Sequence, residues 1–169
     1  MKRELKKYLN SLEEKELINE IVKLYDKFKL VKQYYELELG NDSSKLLDEF
    51  KEKIRKEYLP TRGFGRARSS IARKIVDDFK KISIHSKDLV DLMLFRTEMM
   101  IEFSETFGDI DEQFYSSLES SFEQACKIIR KEKLESHVKI YCQELVGRTR
   151  DFGWGVFDQL SHILEEYIE

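Results

Sequence analysis

The chain has 169 residues, 41% hydrophobic and 12% aromatic, enough for one domain with a buried core and too apolar for a disordered segment. One proline and seven glycines leave little turn material for an all-β fold, and 37% charged residues suit many exposed helix faces, so an all-α chain is expected. The net charge of −3 hides an uneven distribution: residues 51–81 carry eleven Lys/Arg against four Asp/Glu, and residues 82–125 carry two against ten.

In chain order, a first helix is predicted over about residues 2–9, broken at Asn10–Ser11, where Ser11 and Glu14 have the spacing of a capping box. The next helix carries Leu17, Ile21, Leu24, Phe28, Val31 and Tyr35, a seam of period 3.5 that suits packing in a bundle better than a self-associating coiled coil. Gly40-Asn41-Asp42 should close it. Ser43 or Ser44 opens a helix with Leu46, Leu47, Phe50, Ile54, Tyr58 and Leu59, stopped by Pro60. Beyond the segment TRGFGRARSS, a helix presents Ile71, Ala72, Ile75, Val76 and Phe79 on one face. Ser86 then caps DLVDLMLFRTEMMIEFSETF, which is apolar around most of its circumference and should be the central helix. Asp109 and Glu112 offer another capping box, followed by helices centred on Phe114–Ile129, Leu134–Leu145 and Phe157–Tyr167. The expected architecture is a single-domain antiparallel bundle or array of seven or eight helices over 1–169, with an N-terminal helix and a long helix in 1–40 and the rest in 43–169.

No apolar run approaches the roughly 18–20 residues of a membrane span, so no membrane is expected. The start, MKRELKKYLN, has no apolar segment of a secretory signal, and Cys126 and Cys142 form no paired framework; both point to the cytoplasm. Gly63-Phe64-Gly65 has neither the spacing nor the preceding strand of a phosphate loop or a dinucleotide fingerprint, so no cofactor is expected. The three histidines, His85, His137 and His162, lack a Glu three positions before them, and Cys126, His137, Cys142 and His162 have no zinc-ligand spacing. The carboxylates of 109–112 read as a helix N-terminus, not a cation loop. No metal is expected, and no nucleophile has a base at helical spacing, so no catalytic residue is assigned.

The arginines carry the functional expectation. At about 100° per residue, Arg68 falls on the side of Ile71, Ile75 and Phe79, and Arg96 among Leu89, Leu92, Met100 and Phe103. An inward guanidinium needs a carboxylate or a bound anion, and Asp109, Asp111 and Glu112 are the expected partners. Arg62, Arg66, Arg73 and Lys74 form an outward basic surface, and Trp154, between Gly153 and Gly155, is expected to plug a helix corner beside Arg148 and Arg150.

KRELKKYLNSLEEKELINEIVKLYDKFK, RKEYLPTRGFGRARSSIARKIVDDFKK, DLMLF, FGDIDEQFY and RTRDFGWG together resemble an uncharacterised bacterial family of small cytoplasmic helical proteins, a domain of unknown function. The resemblance spans essentially the whole chain and implies no activity, ligand or site residue. From the residues themselves, the leading expectation is a non-enzymatic interaction module that meets a protein partner through the basic 58–74 surface. The alternatives are nucleic-acid binding through the same face, or a small-anion or phosphometabolite pocket lined by Arg62, Arg66, Arg68, Arg148 and Arg150. The oligomeric state is left open.

Overall fold

A computed structural model of the chain describes residues 1–40 and 43–169, so Asn41 and Asp42 of the expected Gly40–Asp42 terminator lie outside the described residues. Among the described residues the structure is all-helical, without strands, as the composition implied. It divides into two compact units, Met1–Asp42 and Ser43–Glu169. No helix among the described residues is long and apolar enough to cross a membrane.

The first unit contains α1 (Lys2–Asn10), α2 (Glu14–Lys27) and α3 (Lys29–Leu39). Ser11 does not open α2: its hydroxyl donates to the Tyr8 carbonyl at 2.7 Å, so it ends α1. The capping box forms two residues further on, with Glu13 as N-cap and the Glu16 carboxylate accepting from the Glu13 N–H at 2.9 Å. The expected long helix is two helices. Phe28 is extended (φ −121°, ψ 114°), and the chain bends there enough to bring the rings of Tyr25 and Tyr35 within 6.5 Å. Ten residues of straight helix would separate them by roughly 15 Å.

The second unit contains α4 (Ser44–Tyr58), α5 (Ser69–Ile82), α6 (Ser86–Phe107), α7 (Glu112–Glu132), α8 (Glu135–Gly147) and α9 (Val156–Tyr167). The α6 helix packs against α4, α5, α7 and α8, while α9 closes over α7 and α8. That central position explains its sequence, since 13 of its 22 residues are buried. The surrounding helices supply Ile54, Phe79, Leu118, Phe122, Ile129 and, from α9, Leu160 to the buried core. Each such side chain contributes on the order of 1.5–3 kcal/mol by leaving water. Thr97 and Ser121 bury their hydroxyls by bonding to each other at 3.3 Å, which fixes the α6–α7 register without an unpaired polar group. The N-terminus of α7 is capped by Asp111, whose carboxylate accepts from Phe114 N–H at 2.7 Å, in place of the expected Asp109–Glu112 pairing.

A candidate anion-binding cleft

The site grows out of the loop between α4 and α5. Pro60 follows the end of α4, and the chain then doubles back over the last turn of that helix. Gly65 passes so close to the Tyr58 carbonyl that a Cβ there would lie 1.7 Å from the oxygen, so only glycine fits. Ala67 N–H donates to the Glu57 carbonyl at 3.0 Å. Glu57, itself 7% exposed, holds Arg68 through three bonds: backbone N–H at 3.0 Å, Nε at 2.8 Å and Nη2 at 2.9 Å. This fork-on-fork geometry holds the Glu57 carboxyl below its ordinary range, first through the Arg68 side-chain bond and against the opposing effect of burial.

Arg68 is therefore the N-cap of α5, not a residue on its inner face, and its side chain stays about half exposed. No ion pair joins it or Arg96 to Asp109, Asp111 or Glu112 among the described residues. The acidic loop serves other bonds: Asp109 accepts from Trp154 Nε1 at 3.2 Å, Asp111 caps α7, and Glu112 is exposed.

Arg68 offers no side-chain acceptor to the helix it opens. Ser69 and Ser70, the first residues of α5, line a cleft of about 760 Å3 whose other wall is the beginning of α7. Arg66, Arg73 and Asp111 supply its charges, Ser69, Ser70, Ser116 and Ser117 its hydroxyls, and Phe103, Ile110 and Phe114 an apolar side. Arg66 and Arg73 are exposed and have no carboxylate partner among the described residues.

Behind these walls, outside the cleft lining, sits Arg96 of α6, only 5% exposed. Its Nη2 reaches Ser117 Oγ at 3.3 Å and the Ser69 carbonyl at 3.4 Å, two long bonds to two residues of the cleft wall. Its Nε and the hydroxyl of Tyr58 are both buried without a well-formed hydrogen bond, although the two groups lie close enough to interact, and no carboxylate among the described residues pairs with the guanidinium. Burial pushes the Tyr58 hydroxyl above its ordinary pKa, with the nearby Arg96 charge working the other way. A buried cation with no counter-charge is expensive, by several kcal/mol, unless something supplies one.

The other sequence-derived site residues lie elsewhere. Arg62 and Lys74 are exposed and outside the cleft lining. Arg148 is bound to Glu105 at 2.6 and 3.0 Å and to Glu98 at 3.4 Å, both on α6. Tyr141 donates to the same Glu98 at 2.7 Å. Arg150 lies 5.7 Å over the Phe157 ring. Arg148 and Arg150 thus do not join the loop arginines in one pocket. Trp154 does not plug the corner either: at φ +62° it turns outward, 56% exposed, and Phe152 instead packs 6.0 Å from Tyr115. The sequence reading missed Glu57, Tyr58, Ser69 and Ser117. The visible signal was the Ser-Ser pair near the beginning of each of the two helices, 69–70 at the start of α5 and 116–117 in the second turn of α7.

Among the described residues no three His, Cys, Asp or Glu side chains converge as a metal site. Cys126 and Cys142 are buried free thiols, and the bond to Cys142, then burial, pushes the Cys126 thiol up.

Fold and cleft together define an all-helical protein with a cleft between the N-terminal parts of two helices, α5 and α7. The chain belongs to the family of unknown function DUF6155, whose family model matches residues 1–167. No curated protein and no solved structure matches it.

Proposed function

We propose that this protein binds a small oxyanion, of the phosphate class, in the cleft between the N-termini of α5 and α7. The observation that carries the reading is Arg96: a buried guanidinium with an orphaned Nε, no carboxylate partner among the described residues, and its Nη2 held between two cleft-wall residues. The start of α5 at Ser69 and Ser70, which has no side-chain cap, adds the partial positive charge of a helix N-terminus. Arg66 and Arg73 supply further charge at the cleft, and serine hydroxyls supply neutral donors. The two free buried thiols suit a reducing, cytoplasmic setting.

The test is a thermal shift and a titration calorimetry series with inorganic phosphate, run on the full chain and on Arg96→Met. The full chain is expected to gain stability with phosphate. Arg96→Met should lose that response while its ligand-free Tm stays level or rises, because it removes an unmatched buried charge. A variant that instead unfolds, paired with a wild type indifferent to phosphate, makes Arg96 structural and ends the proposal.

One observation favours the protein-contact reading of the 58–74 surface. Phe64, at the tip of the glycine loop, is 83% exposed, and its ring lies 5.9 Å from the half-exposed ring of Phe107. Capture of one partner at physiological salt, lost in Phe64→Ser, supports that reading. Salt-sensitive retention on RNA, lost when Arg62 and Arg66 become Glu, supports the nucleic-acid alternative.

A further inference from the structure

We infer that this protein forms a homodimer in which the α2 helices of two copies pack antiparallel along their apolar seam. The inference is independent of the anion-binding reading and concerns the first unit alone.

The first unit is rich in apolar side chains and nearly without a core. Among the described residues, sixteen large hydrophobic side chains are exposed, and eleven of them fall in the first 40 residues. The same stretch buries one hydrophobic residue, Leu37, and no residue of α1 or α2 is buried. A unit of about 40 residues is near the lower limit of independent folding, where a disulfide, a metal or a second subunit usually makes up the deficit. Both cysteines lie in the second unit.

The uncovered face is the one the apolar spacing marks. Ile18, Ile21, Val22 and Leu24 of α2 are between 41% and 55% exposed, with Leu17 half-buried beside them. The α3 helix meets α2 on its Tyr25 edge, where the rings of Tyr25 and Tyr35 approach, and leaves these side chains open. An open seam of period 3.5 is filled by a second helix, and a twofold pairing uses the same seam from both copies.

Charge selects both the occupant and its direction. Leu17 and Leu24 take d positions of the heptad, Glu14 and Ile21 take a positions, and Glu20 and Lys27 take flanking g positions. Antiparallel pairing that sets Ile21 opposite Leu24 of the second copy brings Glu20 beside Lys27 of that copy, twice by symmetry. Lys27 lies over the Phe28 ring and has no carboxylate partner among the described residues. Glu20 meets Lys23 of its own helix at 2.9 Å, a surface pair that leaves its second oxygen free for the other copy. Parallel pairing in register instead sets Glu14 against Glu14 in the seam and keeps Glu20 and Lys27 apart. With 14 residues α2 is about 21 Å long, so the contact is short and association in the micromolar range is expected.

The experiment is analytical ultracentrifugation of the full chain from about 1 to about 200 μM. A concentration-dependent monomer–dimer equilibrium is expected. Ile21→Glu, at an exposed position, places a charge in the seam from both sides and should weaken dimerisation about a hundredfold without loss of helix content. Glu20→Lys and Lys27→Glu should each weaken their own homodimer, and the two mixed one to one should form a heterodimer about tenfold tighter than either. If Ile21→Glu loses helix, this charge-exchanged pair decides alone. A chain that stays monomeric at about 200 μM has its α2 face covered by its own chain or by another protein, and overturns the inference. A dimer left intact by both Ile21→Glu and Leu24→Glu moves the interface off α2 and also overturns it. A dimer whose charge-exchanged variants show no preference for each other overturns the antiparallel arrangement.

Discussion

Two arginines reach the flanks of the same central helix and meet opposite fates. Arg148, from the end of α8, lies between Glu98 and Glu105 of α6, with Tyr141 holding Glu98 from the other side. The guanidinium there is matched within the chain, by two carboxylates, and the arrangement ties α8 to α6. Arg96, on α6 itself, is more deeply buried and has no carboxylate among the described residues. A chain with 33 acidic residues does not lack carboxylates to place beside it. Asp111 lines the same cleft and is spent on capping α7. The difference separates a cation paired by carboxylates of the chain from one that has no carboxylate partner among the described residues.

The largest break in that comparison comes from the loop that shapes the cleft. Gly65→Ala places a Cβ within 1.7 Å of the Tyr58 carbonyl oxygen, which the rigid end of α4 cannot yield. The expected loss is about 3 kcal/mol, a fall in Tm of roughly 6–12 °C, together with loss of the phosphate response. Thermal melts with and without phosphate measure both. A Gly65→Ala protein with wild-type Tm would mean that the fold-back of residues 62–68 does not hold the cleft.

Arginine-to-methionine exchange sharpens the contrast directly. Arg148→Met leaves Glu98 and Glu105 facing each other in a partly buried setting and should cost about 1–2 kcal/mol, some 3–6 °C in Tm, without changing phosphate affinity. Arg96→Met should move the other way, with ligand-free stability level or up by as much as about 2 kcal/mol and phosphate binding lost. Equal losses of stability in the two variants would erase the distinction.

How far the sequence carries to this site depends on the residue. Helical phase sets Arg96 among Leu89, Leu92, Met100 and Phe103, because Arg96 lies well inside a regular helix where each residue turns about 100°. The same arithmetic fails for Arg68, which sits before the first turn of α5 at φ −73° and ψ 91°, where helical rotation does not apply. Its true partner, Glu57, comes from the preceding helix through a chain reversal that no periodicity encodes. Trp154 misleads for a similar reason: its left-handed backbone, not its flanking glycines, decides which way the indole points. The break at Phe28 has no proline or glycine to announce it. The all-helical class and the apolar α6 were legible, since they follow from composition and pattern. The cleft was not, since it forms where two helix starts far apart in sequence converge.

The smallest expected effect concerns the matched pair at the cleft's edge. If Glu57 and Arg68 belong with Arg148 as a structural contact, removing the Glu57 charge should leave phosphate affinity at pH 7 within about twofold of wild type. Its signature lies in acid instead. The folded-state pKa of Glu57 is lowered from an ordinary 4.5, so its contribution to stability is present above 4.5 and is lost as pH falls through the lowered value. Glu57→Gln lacks that titration. Wild type should therefore melt higher than Glu57→Gln at pH 7, and the gap should close as pH drops below about 4.5, where both side chains are neutral. Melts at half-unit steps from pH 7 to pH 3 follow the gap. A gap independent of pH would show that the carboxylate's charge is not what holds the loop. Loss of phosphate binding at pH 7 would instead move Arg68 across the comparison, to stand with Arg96.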